Sequence, residues 1–374
     1  MSLRIAAGLL KATRFARRGK LLKATAALQH VLRGINARAA RSGTRMLKVA
    51  ARAAGSTRKP PGKASNIHEL ATASMVPAPS RQGRFVAASF TNDAGTRDYK
   101  VYIPALYQGG ALPLVVMLHG CKQDPDSFAA GTGMNELADE CGFVVVYPMQ
   151  AGRANVSHCW NWFQTQDQAR DQGEPSLIAG ITRDVVEEYG LDSRRVYVAG
   201  LSAGGAMAAI MGTTYPDVYA AVGIHSGLAY AVACDVSSAF AAMRGDGAGR
   251  ALQASLDNAA LRTVPTIVFH GDDDRTVHPS NGEQLIAQAA PQPTEDAGVG
   301  ASAEDVAVVE KGDARGRAYT RTLYRDVRGK SVTEHWLVHG AGHAWSGGSP
   351  AGSYTDPTGP VASREMVRFF LQQS

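Results

Sequence analysis

No apolar run in this sequence is long enough to cross a bilayer. The longest uninterrupted ones, such as Leu114 to Leu118 and Val144 to Val146, fall far short of the roughly twenty residues a membrane helix needs. Cysteine is scarce as well. Cys121, Cys141, Cys159 and Cys234 are the only four and show no CxxC spacing, which argues against a zinc site and against a disulfide scaffold, leaving room for one or two bridges. Acidic residues are absent from residues 1–63, which hold 16 Lys or Arg. The net charge of +6 therefore conceals a remainder of +6 − 16 = −10. Attraction to an anionic surface is confined to the first segment, and no nucleic-acid partner is expected for the acidic remainder. A secretory signal is only weakly resembled, because the apolar stretch Ile5 to Leu10 is interrupted by Lys11 and followed by more basic residues.

What is present is a chain of 374 residues with 45% hydrophobic content, enough for one large core and an appendage. Residues 1–63 read as a basic, partly helical extension that runs into a linker, and residues 80–374 as the main domain. In the extension, Leu21, Leu22, Thr25, Leu28, Leu32 and Ile35 recur at helical spacing with Lys and Arg elsewhere. The segment is either a solvated extension or an amphipathic helix for an anionic lipid or lipid-coated surface. "STRKPPGKAS", residues 56–65, follows as a linker.

From Arg84 the pattern changes. "RFVAASF" and "DYKVYIP" flank a turn containing Asn, Asp and Gly, which predicts an antiparallel pair. Short apolar segments then alternate with helix-like stretches: "LPLVVMLHG", "GFVVVYP", "RVYVAG", "YAAVGIHSG", "PTIVFHG" and "EHWLVHG". The fold class is α/β, a mostly parallel sheet with helices on both faces, and function should collect at the carboxyl ends of its strands. Residues 226–263 form a polar, alanine-rich insertion long enough for two helices, which either caps a cleft or extends the surface.

Within "VYVAGLSAGGAM", Ser202 falls at a strand-to-helix turn crowded by Gly200, Gly204 and Gly205. Such a turn presents a serine as a nucleophile when a base reaches its hydroxyl and backbone donors await an oxyanion. The acid should follow a later strand, and "VFHGDDDRTVHP" offers Asp272, Asp273 and Asp274. The base should follow the last, and "WLVHGAGHAWSGG" offers His339 and His343. His343 stands farther beyond the strand, between Gly342 and Ala344, and is the better placed. An HxxxH zinc reading fails because the Gly-Ala-Gly between the histidines does not favour a helix and no Glu follows the first. Oxyanion donors are expected in the backbone amides of Cys121, after "LHG", and of Ala203, after the nucleophile.

With these residues in view, residues 84–372 resemble the polyhydroxybutyrate depolymerase family of esterases, related to feruloyl and acetylxylan esterases, within the α/β-hydrolase fold. The anchors are "LHGCKQ", "CWNWF", "GLSAGGAM", "HGDDDRTV" and "GAGHAWSGG", in that order. The resemblance implies Ser202 as nucleophile, His343 as general base and Asp274, the third aspartate, as its orienting acid. It implies oxyanion positions at Cys121 and Ala203 and no cofactor or metal. One departure stands out: Ser346 occupies the place of an expected proline, which should loosen the loop while leaving the histidine in place. Trp160, Trp162 and Trp345 are candidate walls of a substrate cleft, with core packing as the alternative. A bridge between Cys159, beside Trp160, and Cys121 would tie the tryptophan loop to the oxyanion turn.

The implied substrates are short-chain polyhydroxyalkanoates, their oligomers or small esters. A carbohydrate-side-chain esterase is the alternative activity, and a non-enzymatic granule-surface protein the alternative class. Localisation is divided: the resemblance implies an extracellular protein, while the amino terminus points to a cytoplasmic, polymer-granule-associated one.

Overall fold

Alternate residues of the central strands face opposite sides, and both sides are covered. Leu114, Val116 and Leu118 enter one core while Val115 and Met117 enter the other. Val144 and Val146 likewise oppose Val145 and Tyr147. A strand buried on both faces cannot alternate apolar with polar residues, which is why these segments read as continuous apolar runs. Each such side chain removed from water contributes about 1.5–3 kcal/mol.

The structure, a computed structural model, describes residues 83–250, 253, 264–289, 307–326 and 329–373. The chain divides into two units, Met1–Val76 and Pro77–Ser374, and every described residue belongs to the second. The helical reading of residues 1–63 and the linker at 56–65 lie outside the described residues.

The sheet has ten strands among the described residues: β1 (Arg84–Asn92), β2 (Gly95–Ile103), β3 (Leu114–Leu118), β4 (Val144–Pro148), β5 (Val196–Leu201), β6 (Ala221–His225), β7 (Thr266–Gly271), β8 (Ala307–Ala314), β9 (Arg317–Arg325) and β10 (Ser331–Val338). Their order is β1-β2-β4-β3-β5-β6-β7-β10-β9-β8. The six strands from β4 to β10 in that order are parallel, and the pairs at both ends are antiparallel. A small parallel pair, β11 (Trp345–Ser346) and β12 (Thr355–Asp356), fastens the loop after β10.

Helices α1 (Pro125–Thr132), α2 (Met134–Cys141) and α7 (Ala362–Leu371) bring Phe128, Met134, Leu137, Met366, Phe369 and Phe370 to one face. Helices α3 (Gly173–Glu188), α4 (Ala203–Thr214) and α6 (Ser280–Ala289) bring Ile178, Ile181, Met207, Met211 and Leu285 to the other. Helix α5 (Val236–Met243) lies in the insertion after β6, capped by Asp235, whose carboxylate accepts the Ser238 amide. Most of the insertion's second half lies outside the described residues.

The hairpin β8–β9 was not anticipated from sequence. Most of β8 is exposed, Val308 and Val309 as well as Glu310 and Lys311, so its short apolar start does not mark a buried strand. Such charged residues suit a sheet edge. Its turn places Arg315 and Gly316 at φ 50 and 78, the left-handed pair of a two-residue hairpin.

Candidate active site

Strand β5 ends in a turn that no ordinary side chain beside the serine would tolerate. Ser202 itself sits at φ 58, ψ −119, a strained conformation of the kind found at functional sites. A Cβ on Gly204 would overlap the carbonyl oxygen of Leu118, and one on Gly200 the backbone of Gly204. The two glycines thus allow α4 to start directly against β3 and β5. The Ser202 amide donates to the His225 carbonyl at 2.9 Å, which ties the turn to the end of β6.

The candidate acid and base, Asp274 and His343, follow the ends of β7 and β10, which pair in parallel. Nδ1 of His343 donates to Oδ2 of Asp274 at 2.6 Å, while Oδ1 of Asp274 accepts the amides of Thr276 and Val277 at 2.8 and 2.9 Å. Burial alone would raise the Asp274 pKa, but the hydrogen bond and charge of His343, with the Val277 amide, hold it below the usual carboxylate range. The neighbouring acid and histidine form a separate pair. His339 Nδ1 meets Asp272 Oδ2 at 2.8 Å, its Nε2 faces Thr320 Oγ1 at 2.9 Å, and the pair is more than a third exposed. Asp273 is held by Arg275 on the surface. Among the described residues neither Ser202 Oγ nor His343 Nε2 has a hydrogen-bond partner, so both remain available for reaction; such bonds commonly tighten only once substrate is bound.

The amide of Cys121 is aimed from behind. Its peptide plane includes the Gly120 carbonyl, which accepts His119 Nδ1–H at 2.8 Å and the Gln123 amide at 3.2 Å. The N–H on the other side of the same planar unit points the opposite way. Gly120 packs close to the serine, since a Cβ placed there would stand 3.6 Å from Ser202 Cβ. His119 accepts the Gln150 amide at Nε2, and burial lowers its pKa to about 4, so it keeps one neutral tautomer. Among the described residues the amides of Cys121 and Ala203 donate to no protein acceptor.

Cys121 is disulfide-bonded to Cys159, with Cα atoms 4.2 Å apart. Beside it, Trp160 donates from Nε1 to the His119 carbonyl at 3.1 Å. The tryptophans require a correction. Trp160, Trp162 and Trp345 are 0%, 6% and 1% exposed. Their faces are packed in the core and do not form the wall of an open cleft. Trp345 stacks on His225 and donates to Ser363 Oγ. A second correction concerns Ser346. Its amide donates to His225 Nε2 at 3.0 Å and its hydroxyl to the Pro360 carbonyl at 2.8 Å, so the loop is fastened where loosening was expected.

Sequence reasoning missed Glu174. This 3%-exposed carboxylate accepts Asn161 N and Nδ2 and Arg97 Nη2, at 2.7, 2.8 and 3.2 Å, and is also bonded by Gln150 Nε2. It therefore anchors the segment carrying Cys159, Trp160 and Trp162. A single Glu at the start of a helix carries no signal of this role, because its partners come from three distant stretches.

A profile of the family described as "Esterase PHB depolymerase" matches residues 97–301. The chain belongs to this family. Among curated relatives, poly(3-hydroxyalkanoate) depolymerase C of Paucimonas lemoignei is 32% identical over 263 residues, 68% of this chain and 60% of that protein. Feruloyl esterase B of Neurospora crassa is 30% identical over 187 residues, 47% of this chain and 63% of that protein. The chain thus spans less than two thirds of the length of either relative. Among solved structures, an acetyl xylan esterase from Aspergillus awamori superposes with a TM-score of 0.56 at 20% identity, covering 77% of this chain and 99% of that one. The fold is that of the α/β-hydrolases. No helix among the described residues is long and apolar enough to cross a membrane.

Proposed function

We propose that this chain is a serine esterase that cleaves short-chain polyhydroxyalkanoates or their oligomers through an acyl-enzyme. The observation that carries the reading is the His343–Asp274 hydrogen bond, at the same carboxyl end of the parallel strands as a strained serine turn and an outward-aimed Cys121 amide. Ser202 Oγ attacks the ester carbonyl while His343 Nε2 takes its proton. The oxyanion is received by the amides of Cys121 and Ala203, and His343 then protonates the leaving alkoxide. Water repeats the steps to release the acid. Asp274 keeps the proton of the neutral imidazole on Nδ1, which leaves Nε2 as the base. His343 acts as base only in its neutral form.

The depolymerase relative supports a hydroxyalkanoate ester as substrate. A second reading, removal of feruloyl or acetyl groups from carbohydrate, is favoured by the feruloyl and acetylxylan esterases among the relatives. Hydrolysis rates on hydroxybutyrate oligomers, methyl ferulate and acetylated xylan separate the two. The expected order places the oligomers first, and a clear preference for either carbohydrate ester overturns it. Within the same proposal, the basic segment 1–63 contributes affinity for an anionic granule or lipid surface. Unchanged granule binding at low salt after its deletion removes that role. A non-enzymatic binding role is the remaining alternative, and it predicts no hydrolysis of any of the three substrates.

A further inference from the structure

We propose that His225, with Ser346 as its partner, is a positioning residue that fixes the serine turn and the loop of the catalytic base relative to each other. The proposal rests on the triad reading above. His225 ends β6 and is 1% exposed. Its main chain and its side chain reach the two halves of the site. The carbonyl oxygen accepts the Ser202 amide at 2.9 Å, and Nε2 accepts the Ser346 amide at 3.0 Å, three residues beyond His343.

A backbone amide only donates, so Nε2 carries a lone pair and the ring proton sits on Nδ1, 3.1 Å from Ser226 Oγ. Burial pushes the His225 pKa down to about 3, which preserves that lone pair at working pH. The ring is clamped by stacking on Phe269, with centroids 5.8 Å apart and planes 13° apart, and on Trp345, at 5.1 Å and 25°. Trp345 is the residue before Ser346, so the same imidazole both stacks on and hydrogen-bonds to the loop.

Packing alone does not call for a histidine here. A phenylalanine has a similar flat shape and would stack equally well. What the imidazole adds is an acceptor for a buried amide that otherwise has none, in a loop whose Gly340, Gly342, Gly347 and Gly348 provide little stiffness of their own. Ser346 completes the attachment on its other side through the Pro360 carbonyl.

The test is steady-state kinetics on a soluble ester with the full chain. His225→Phe keeps a stacking ring and removes the acceptor, while Ser346→Pro removes the donor. Ser346→Ala removes only the hydroxyl. His225→Phe is expected to lower kcat roughly tenfold, with KM within about twofold, because it leaves the buried Ser346 amide unsatisfied, whereas Ser346→Pro exchanges that amide for the rigid ring the resemblance places here and should stay within about threefold of wild type. Ser346→Ala should stay within about threefold of wild type. The double variant His225→Phe/Ser346→Pro should be no slower than the slower single variant, since no orphaned group remains.

Multiplying losses in the double variant overturn the proposal, as does an unchanged kcat in His225→Phe or a tenfold loss in Ser346→Ala. If His225→Phe does not fold, His225→Gln, which carries an acceptor near the Nε2 position, decides the matter. Its kcat should stay within about threefold of wild type, and a tenfold loss counts against the role. Failure of the triad reading is distinguishable, because then Ser202→Ala retains wild-type kcat whatever the His225 variants do.

Discussion

Nδ1 of His343 stands 2.6 Å from Oδ2 of Asp274, inside the protein, while the look-alike pair His339 and Asp272 lies four and two residues earlier at the surface. The two pairs predict opposite outcomes. Asp274→Asn should lower kcat by roughly three to four orders of magnitude, because the imidazole loses the acceptor that sets its tautomer. His339→Ala and Asp272→Asn break an exposed pair and should leave kcat within about twofold. Parallel kinetics on the three variants check this, and a large loss in His339→Ala would transfer the base to the wrong histidine.

The close approach at the serine turn predicts a backbone effect independent of chemistry. Gly204→Ala pushes a methyl group into the Leu118 carbonyl, so stability should fall by about 1–3 kcal/mol and activity should fall further as Ser202 shifts. Chemical denaturation together with kcat measures both. A variant with wild-type values on each would show that α4 does not need this contact.

The bridge between Cys121 and Cys159 holds the residue whose amide is the proposed oxyanion donor. Alkylation of unreduced, denatured protein should modify Cys141 and Cys234 and spare the other two. Cys159→Ser should lower stability by about 2–4 kcal/mol and kcat by more than tenfold, as the turn carrying the amide loses its anchor. Alkylation of all four cysteines, or a Cys159→Ser enzyme with full kcat, contradicts this.

Buried histidines set the acid limit of stability. Burial lowers the pKa of His225 to about 3, of His119 and His335 to about 4, and of His270 in the same direction, each from a reference of 6.5. The unfolded chain therefore binds more protons than the folded one below pH 6.5. The contribution of these residues is complete above that value and is lost as pH falls towards 4. Asp167 and Glu174, raised by burial, act in the opposite sense and offset part of the loss. Asp274, held low, contributes only to a further loss below about pH 4. Tm should decline between pH 6.5 and 4.5, and a flat Tm across that range would contradict the balance.

Local signals made much of this molecule legible. The paired apolar strands are visible because burial on both faces demands unbroken runs such as Val144 to Val146, and the Ser202 turn because only glycine fits at 200 and 204. Which aspartate meets which histidine was not legible from the residues alone. Asp272 and Asp274 both follow β7 and both find a histidine, and only the tertiary path buries one pair and exposes the other. The β8–β9 hairpin is not legible because Val308 and Val309 stand in solvent beside Glu310 and Lys311, without the unbroken run that marks a strand buried on both faces. The burial of Trp160 and Trp345 depends on contacts with His119 and Ser363, which spacing along the chain does not encode.

The central claim, that Ser202 is the nucleophile, is tested most directly by a fluorophosphonate probe followed by peptide mass spectrometry. One adduct per chain on the peptide containing Ser202, with ester hydrolysis lost in proportion to labelling and no adduct in Ser202→Ala, is the predicted result. An enzyme that hydrolyses esters yet carries no adduct at Ser202, or carries it on another residue, would contradict it.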